Sequence, residues 1–296
     1  MTQAFKSGFA TVIGRPNVGK STLVNALVGE KVAIVSPRPQ TTRTNLQGIL
    51  TREHYQMVFI DTPGLHAART RLGEYMVRMA QSALDEVEAV VVVLDAMSGL
   101  REGDLEIVKN ALAGSAPVMA VINKIDIAGD EKVAPIIAKL AEFRGIAHIL
   151  PVSAKTGKNI DTLEALLEET LPEGPLYFPP DMITDQPERV IAAEMIREKA
   201  LYRLREEVPH GIGVEMMQIQ ARNDGVTDMH ATIYCEKQSH KRILIGKNGA
   251  MLKEIGIGAR REIEALMGCP INLQLWVKVR KDWRNRPDVL RELGYQ

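Results

Sequence analysis

Cysteine is scarce in this sequence, with two residues, Cys235 and Cys269, among 296. Both stand among apolar neighbours, and their spacing is unlike that of metal ligands. A disulfide framework and a cysteine-based zinc site are therefore excluded as the basis of the fold. We expect both thiols to be reduced and buried, as in a cytosolic protein.

The chain also lacks an excess of charge of either sign. Its 37 Lys and Arg and 37 Asp and Glu give a formal net charge of +0, which excludes a polyelectrolyte that binds nucleic acid through its overall charge. The local distribution is uneven, because residues 237–286 contain 12 Lys or Arg against 4 Asp or Glu, a net charge of +8. This basic segment predicts a nucleic-acid surface, the alternative being a solvated face over an ordinary core.

Long hydrophobic runs are absent as well. The longest, Ala89–Leu94, is too short to span a bilayer and is typical of a central parallel strand. Residues 1–8 lack the apolar core of a signal peptide, so we expect a cytoplasmic protein. No repeat or low-complexity tract occurs. A length of 296 residues with 45% hydrophobic and 25% charged residues predicts two ordinary globular domains.

Candidate strands and helices alternate over residues 1–172, which predicts an α/β domain with a mostly parallel sheet covered by helices on both faces. Such sheets bind ligands beyond the carboxyl ends of their strands. The candidate strands are Phe9–Ile13, Leu46–Leu50, Gln56–Ile60, Ala89–Leu94, Val118–Ile122 and His148–Val152, and the candidate helices are Ser21–Leu27, Leu72–Leu84, Leu105–Leu112, Val133–Phe143 and Leu163–Leu171.

Prolines then mark residues 173–187 as a stiff linker. Residues 188–296 predict a second, α+β domain in the order helix, strand, strand, helix, helix, strand, with a basic tail. Its strands are the alternating segments Met217–Ala221, Met229–Cys235 and Ile271–Val279, and Lys241–Met267 is helical apart from a glycine break. The first helix is expected to bury one face, formed by Val190, Ala193, Ile196, Ala200 and Leu204.

A phosphate-binding loop, G-x-x-x-x-G-K-S, runs from Gly14 to Ser21 between the first candidate strand and helix. Backbone N–H groups in such a loop surround phosphate oxygens, Lys20 adds charge at the β- and γ-phosphates, and the Ser21 hydroxyl can ligate Mg²⁺. A glycine-rich turn beside an unrelated lysine is the alternative. The candidate phosphate ligands are Gly14, Arg15, Pro16, Asn17, Val18, Gly19, Lys20, Ser21 and Thr22.

The segment Asp61-Thr62-Pro63-Gly64 follows the third candidate strand. Asp61 is expected to hold Mg²⁺ through a water molecule and the Gly64 amide to meet the γ-phosphate. Small GTPases often place a water-orienting Gln after this glycine, whereas this chain has Leu65. We therefore identify no side-chain base and expect slow intrinsic hydrolysis. His66 is next, but a lone histidine there is more often structural.

Two further motifs predict guanine recognition. In Asn123-Lys124-Ile125-Asp126, the Asp126 carboxylate can accept hydrogen bonds from guanine N1–H and the 2-amino group, neither of which adenine offers. Asn123 is expected to brace the base-binding loops, and the Lys124 stem to lie along the purine. In Ser153-Ala154-Lys155, the Ala154 N–H can bond guanine O6.

A first switch segment is expected within residues 30–44, which are polar and lack periodicity. A threonine there can ligate Mg²⁺ only when the γ-phosphate is bound, and so would order the segment. We choose Thr42 over Thr41, and the alternative is an inert loop. The switch candidates are Gln40, Thr41, Thr42 and Arg43.

In the basic segment, a G-x-x-G sequence at Gly246–Gly249 separates two apolar helical stretches. Such a loop lets backbone N–H groups approach a sugar-phosphate chain closely, the alternative being a helix-breaking turn. Ile245 and Leu252 are expected to form an apolar groove under the bases. Trp276 and Trp283 are candidates either to stack on a base or to anchor the chain end. The candidate RNA ligands are Arg242, Ile245, Gly246, Lys247, Asn248, Gly249, Leu252 and Lys253.

Together these residues resemble the Era family of bacterial GTPases, which act in assembly of the small ribosomal subunit. The resemblance covers nearly the whole chain. It rests on GRPNVGKST at Gly14–Thr22, QTTR at Gln40–Arg43, DTPGLH at Asp61–His66, NKID at Asn123–Asp126, SAK at Ser153–Lys155, ILIGKNGAMLKEIG at Ile243–Gly256 and LWVKV at Leu275–Val279.

The resemblance implies a Ras-like GTPase domain joined to a type II KH domain that binds the single-stranded 3′ end of small-subunit ribosomal RNA in the pre-small-subunit particle. It implies GTP or GDP and Mg²⁺ as ligands and, for some members, loose association with the inner face of the membrane. Relatives with Asn at the position of Asn17 can use K⁺ in place of an arginine finger. The sequence departs mildly in having Asn248 where Asp is often found. We expect a monomer without a DNA partner.

Two other functions remain open from the sequence. One is a constitutive RNA-binding module in which the GTPase domain is only a scaffold. The other is a membrane or cell-cycle switch that needs no RNA. Nucleotide-independent RNA affinity favours the first, and full function after neutralisation of Lys247 and Arg242 favours the second.

Overall fold

A computed structural model of the chain describes residues 4–36, 46–63, 70–82, 87–204 and 208–295. The described chain forms two compact units, of which the first includes Met76–Asp185 and the second Gln186–Gln296. No helix in the described ranges is both long and apolar enough to cross a bilayer. The following residues of the predicted site lie outside the described ranges: Gln40, Thr41, Thr42, Arg43, Gly64, Leu65 and His66.

The first unit is the α/β domain that the alternating pattern predicts. Its sheet has the strand order β2-β3-β1-β4-β5-β6, and every neighbouring pair is parallel except β2–β3, which is antiparallel. The elements are β1 (Lys6–Ile13), α1 (Lys20–Val28), β2 (Leu46–Thr51), β3 (Tyr55–Asp61), α2 (Arg71–Ser82), β4 (Ala89–Asp95), α3 (Glu102–Leu112), β5 (Val118–Asn123), α4 (Asp130–Leu140), β6 (Ile146–Pro151) and α5 (Ile160–Thr170). Of α2, the part from Met76 onward belongs to this unit, and the part before it to the second.

Strand β4 explains why the sheet is covered on both faces. Its apolar residues from Ala89 to Leu94 are all buried. Val91 and Val93 belong to one core cluster, with residues of α1 and α5, whereas Val90 and Val92 belong to another, with residues of α3 and α4. Because successive side chains of a strand point to opposite faces, a continuous apolar run requires a core on each side.

Residues 173–184, here called the strap, belong to the first unit. Glu173 pairs with Lys6 and Thr184 pairs with Gly48, both as isolated antiparallel bridges. The Ile49 N–H donates to the carbonyl of Ile183 at 2.8 Å. The strap therefore contacts both β1 and the outer edge of β2.

Gln56 of β3 holds the middle of the strap. It is fully buried, and its Oε1 accepts hydrogen bonds from the N–H groups of Tyr177 and Phe178, each at 2.9 Å. Its Nε2 donates to the Phe178 carbonyl at 2.9 Å. Most of the segment predicted as a linker thus lies on the first unit. Its prolines indicated irregular backbone, but composition cannot show whether irregular backbone packs on a neighbouring sheet.

The second unit has the predicted order of helices and strands. Its three-stranded sheet has the order β7-β8-β9, with β7–β8 antiparallel and β8–β9 parallel. The elements are α6 (Glu188–Arg203), β7 (Gly213–Ala221), β8 (Thr227–Cys235), α7 (Gln238–Ile245), α8 (Ala250–Met267), β9 (Ile271–Val279) and α9 (Pro287–Glu292).

The alternating segment Met217–Ala221 predicts that Met217 lies on the buried face of β7, and this is wrong. The register with β8 shifts between Met216 and Gln218, so Met216 is buried while Met217 is 52% exposed. A β-bulge adds one residue and moves the side chains beyond it to the opposite face. Strict alternation in the sequence therefore did not describe this strand.

The predicted buried face of α6 was only partly right. Ile196, Ala200 and Leu204 are buried, whereas Val190 and Ala193 are half-buried. The helix is rotated from the expected orientation, since it also buries residues outside that face. These are Ile191, Ala192, Met195, Arg197, Glu198 and Leu201.

Both cysteines are free thiols. Cys235 is buried, and burial raises the pKa of its thiol to about 11. Cys269 is only half-buried, so the expectation of burial was right for one of the two.

Trp283 is fully buried and its indole N–H donates to the Gly211 carbonyl at 2.9 Å. It therefore anchors the chain end, while Trp276 remains 44% exposed.

Candidate functional site

The phosphate loop connects β1 to α1, as its sequence context predicts. Gly19, at the N-cap of α1, has a φ of 102°, a conformation that side chains other than glycine rarely adopt. A Cβ atom at Gly19 would lie 2.2 Å from Asn123 Nδ2. Glycine is therefore required here both by backbone conformation and by the close approach of the Asn123 side chain.

Lys20 lies inside this loop, with a relative exposure of 6%. Its Nζ donates to the carbonyls of Gly14 and Arg15, each at 3.2 Å. Burial lowers the pKa of this ammonium to about 8, an effect that the charge of Asp61 partly offsets. The loop thus presents a desolvated cation that can exchange these two hydrogen bonds for hydrogen bonds to phosphate oxygens.

Ser21 and Asp61 form the oxygen-rich side of the site. The Ser21 hydroxyl donates to Asp61 Oδ2 at 2.7 Å, and Asp61 is fully buried at the end of β3. Hydroxyl and carboxylate oxygens are ligands that suit Mg²⁺, which is also bound through substrate phosphates. These two residues therefore fit a magnesium site. Thr62 instead donates its hydroxyl to the Val12 carbonyl of β1 at 2.9 Å.

The Arg15 side chain is held by α3. Its Nε donates to Asp104 Oδ1 at 2.6 Å, and its Nη2 to Ser98 Oγ at 3.2 Å. Asp104 is 1% exposed, so this is a largely desolvated ion pair. Among the predicted phosphate ligands, Arg15 is therefore available through its backbone, and its side chain braces the loop.

Asn123, at the end of β5, joins the phosphate loop to the Ser153-Ala154-Lys155 segment. Its Nδ2 donates to the Val18 carbonyl at 3.0 Å, and its Oδ1 accepts from the Ala154 N–H at 3.0 Å. This is the bracing expected of Asn123. The Ala154 N–H predicted to bond guanine O6 is thus already engaged, and a bond to the base would have to share it or replace Asn123.

Lys124 makes a second connection to the phosphate loop. Its Nζ donates to the Asn17 carbonyl and to Asp95 Oδ2, each at 2.7 Å. Asp95 is the last residue of β4 and orients the lysine. Asn17 has a φ of 67°, a left-handed conformation that asparagine tolerates better than most residues.

Asp126 and Ser153 are also brought together. The Ser153 hydroxyl donates to Asp126 Oδ1 at 2.8 Å and accepts from the Thr156 N–H at 3.2 Å. Asp126 itself is exposed, so a base can reach its side chain. The remaining predicted nucleotide ligands lie in the same segments: Pro16, Val18, Thr22, Pro63 and Lys155.

In the second unit, the G-x-x-G sequence forms the connection between α7 and α8. Gly246 has φ 73° and ψ 179°, a region open essentially to glycine alone. A Cβ atom there would lie 2.9 Å from the Met251 nitrogen. Lys247 and Asn248 are exposed at the tip. Arg242 is exposed one turn earlier, and its carbonyl accepts from the Gly246 N–H at 2.9 Å.

A groove of about 380 Å³ adjoins this loop between α8 and β9. Its lining combines apolar side chains with two cations, Lys253 and Arg260, and the amide of Asn272. Leu252 lines it as predicted, but Ile245 packs against the core and is absent from the lining. The lining residues are Gly249, Leu252, Lys253, Gly256, Ile257, Arg260, Asn272, Leu273 and Leu275.

Sequence reasoning missed several members of both sites. Arg260, Asn272, Leu273 and Leu275 were not identified because alternation shows that residues share a strand face, but not which helix they meet. Asp95 and Asp104 were missed because each binds a side chain distant in sequence, Lys124 and Arg15 respectively. The one available signal for Asp95 was its position at the end of a buried strand, next to Asn123.

Two family models match the chain. One, described as 50S ribosome-binding GTPase, matches residues 9–124. The other, described as KH domain, matches residues 207–284. These matches correspond to the unit with the phosphate loop and to the unit with the G-x-x-G loop.

Curated relatives match over almost the full length. The GTPase Era of Clostridium acetobutylicum is 51% identical over 292 residues, covering 99% of this chain and 98% of the relative. That of Alkaliphilus metalliredigens is 49% identical over 294 residues, covering 99% of this chain and 100% of the relative.

Solved structures agree with this similarity. The chain matches Era in complex with MgGDPNP and nucleotides 1506–1542 of 16S ribosomal RNA, with a TM-score of 0.95, 41% identity and coverage of 98% of this chain and 99% of that one. A single-residue variant of Aquifex aeolicus Era bound to GDP and AlF4⁻ matches with the same values. Relatives of this identity span both units, so the chain belongs to the Era family of GTPases.

Proposed function

We propose that this chain is a GTP-dependent RNA-binding protein that assists assembly of the small ribosomal subunit in the cytoplasm by binding the single-stranded 3′ end of its ribosomal RNA. One observation carries the proposal. The same chain contains a phosphate loop braced by Asn123 and Lys124 and a G-x-x-G loop beside a groove lined in part by Lys253 and Arg260. A related protein bound both MgGDPNP and nucleotides of 16S ribosomal RNA.

Different residues of the nucleotide site would bind the phosphates, the guanine base and Mg²⁺. Lys20 exchanges its bonds to the Gly14 and Arg15 carbonyls for phosphate oxygens, and the α1 N-terminus contributes backbone N–H groups. Asp126 accepts from guanine, while Asn123 holds the two base-binding segments together. Ser21 and Asp61 would hold Mg²⁺, directly and through water. That ion, when bound, neutralises negative charge on the phosphates.

The sequence after Asp61 offers no side-chain base, because Leu65 stands where other GTPases often have a water-orienting Gln. The Leu65 position cannot orient water, so we propose that hydrolysis depends on cations around the phosphates and on an external activator. Asn17 is the candidate for holding K⁺, as the family resemblance implies.

The K⁺ role has a direct test in the full chain. GTP hydrolysis should be faster in KCl than in NaCl at equal ionic strength, and Asn17→Gly should abolish the difference. Glycine is the suitable replacement because the φ of 67° would strain alanine. Equal rates in the two salts would rule out a K⁺ role, while leaving GTP and RNA binding untouched.

RNA binding is tested by replacing both Lys247 and Asn248 with Asp. Both side chains are exposed, so the fold should survive, and two new negative charges would lie where phosphate approaches. The loss of affinity should be about 1–3 kcal/mol. The measurement is titration of an oligomer of the small-subunit RNA 3′ end, with GTP-analogue binding as the control.

Three outcomes of this titration are decisive. Unchanged RNA affinity in the double variant would remove the RNA assignment. Binding to large-subunit RNA in preference to the 3′ end of small-subunit RNA would redirect it, as the name of the first family model suggests. Co-sedimentation with vesicles in place of RNA would favour a membrane switch.

A further inference from the structure

The sheet of the second unit packs one face against α6, α7 and α8, and its opposite face is covered at one end only. At one end, Tyr234 is 2% exposed, and the Arg280 guanidinium lies 4.4 Å from its ring centroid. Near it, a Cβ at Gly213 would lie 3.3 Å from the Trp283 ring. The chain after β9 therefore covers this end of the sheet.

The other half of that face is open and centres on Trp276. Its side chain is 44% exposed. The His230 ring lies 5.2 Å from it with an interplanar angle of 77°, an edge-to-face contact in which His230 covers at most one flat side of the indole. Gln274 and Lys278 flank it on the same face of β9 and are exposed.

The charges around Trp276 favour an anionic partner. Lys278 and Lys281 are exposed and make no ion pair within the described residues. The nearby acids lie beside cations of their own, since Asp228 pairs with Arg222 at 3.7 Å and the charge of Glu215 acts on Arg280. Proteins bind single-stranded nucleic acids with this combination: the exposed aromatic ring stacks on a base, and the lysines contact phosphates.

This open face is continuous with the groove. Strand β9 is at the edge of the sheet. Its residues Leu273 and Leu275 line the groove, and Trp276 follows on the opposite face. A KH groove holds about four nucleotides, whereas the RNA bound by the related protein comprised nucleotides 1506–1542.

We propose that Trp276, supported by His230 and Lys278, is a second RNA-contact site, where a base outside the groove stacks after the strand passes the β9 edge. The proposal rests on RNA being the partner, as in the proposed function. It assigns to Trp276 the role of extending the length of RNA that the second unit binds.

The test compares labelled single-stranded RNAs of about four and twelve nucleotides on the full-length protein. Trp276→Ala should weaken binding of the long RNA by about 5- to 150-fold, the loss of one stacked base, and leave the short RNA unchanged. Trp276→Phe, which keeps a stacking ring, should restore most of the affinity. Gln274→Ala, an exposed neighbour on the same face, is the matched control and should change neither.

A second readout does not depend on affinity. The chain has two tryptophans, of which Trp283 is fully buried. The long RNA should quench the natural protein's tryptophan fluorescence, the short RNA should not, and Trp276→Phe should abolish the quenching. Unchanged long-RNA affinity in Trp276→Ala, or equal losses for both lengths, would overturn the second site.

The two hypotheses fail in different ways. The Lys247 and Asn248 double aspartate should weaken both RNA lengths. If it weakens neither, the groove assignment of the proposed function fails. If it weakens both while Trp276→Ala weakens neither, only the second site fails.

Discussion

We propose that guanine selectivity depends on Asp126, which is exposed and accepts a hydrogen bond from the Ser153 hydroxyl at Oδ1. Asp126→Asn replaces an acceptor by an amide that matches xanthine better than guanine. We expect GTP affinity to fall about 10- to 150-fold, as charge-assisted hydrogen bonds contribute about 1.5–3 kcal/mol, and XTP affinity to rise. Competition binding of GTP, XTP and ATP measures this, with the exposed Asp161→Asn as control. Retained GTP preference would contradict the assignment.

The two glycines of the G-x-x-G loop differ in how much their replacement by alanine should destabilise the second unit. Gly246→Ala should destabilise the second unit by about 1–3 kcal/mol, since its backbone lies in a glycine-only region and the new methyl would lie 2.9 Å from a backbone nitrogen. Gly249→Ala should cost about 1 kcal/mol, because it has φ 78° but no atom within 4 Å of a Cβ. Thermal unfolding of the two variants compares them, and equal effects would contradict this account.

At the scale of elements, the strap is held to β3 mainly by Gln56. Gln56→Leu would leave the N–H groups of Tyr177 and Phe178 and the Phe178 carbonyl without their partners. We expect a loss of about 1–3 kcal/mol in unfolding free energy and faster amide exchange in the strap, with nucleotide affinity little changed. Hydrogen exchange read by mass spectrometry measures the second effect.

Thr51→Val is the matched control for the strap. It removes the 2.9 Å bond from Gln56 Nε2 to Thr51 Oγ1 but keeps the three bonds to the strap. If the two variants exchange equally fast in residues 173–184, then Gln56 does not hold that segment.

At the scale of the whole molecule, the prediction concerns coupling between nucleotide and RNA. If a GTP analogue changes RNA affinity, RNA must change the affinity for that analogue by the same factor, commonly about 5- to 150-fold. Titrating RNA against the GTP-analogue and GDP forms, and then nucleotide against free and RNA-bound protein, measures both sides. Identical RNA affinity in the two forms would leave a constitutive RNA-binding protein with a GTPase domain.

The sequence by itself determined the order and type of nearly every element. The continuous valines of β4 require a buried parallel strand, and the alternating residues of β9 a half-buried one, because both signals come from neighbours along the chain. The phosphate loop, the Asn123–Asp126 segment and the G-x-x-G loop were found for the same reason. Each is a local requirement for backbone shape or for a particular donor or acceptor.

The tertiary structure alone decided which distant residues meet. Asp104 holds Arg15, Asp95 holds Lys124, Gln56 holds the strap, and β9 rather than α7 forms the groove wall opposite α8. It also decided the bulge at Met217 and which tryptophan is buried. These features depend on packing between segments far apart in sequence, and local patterns of hydrophobicity and charge contain no information about the partner.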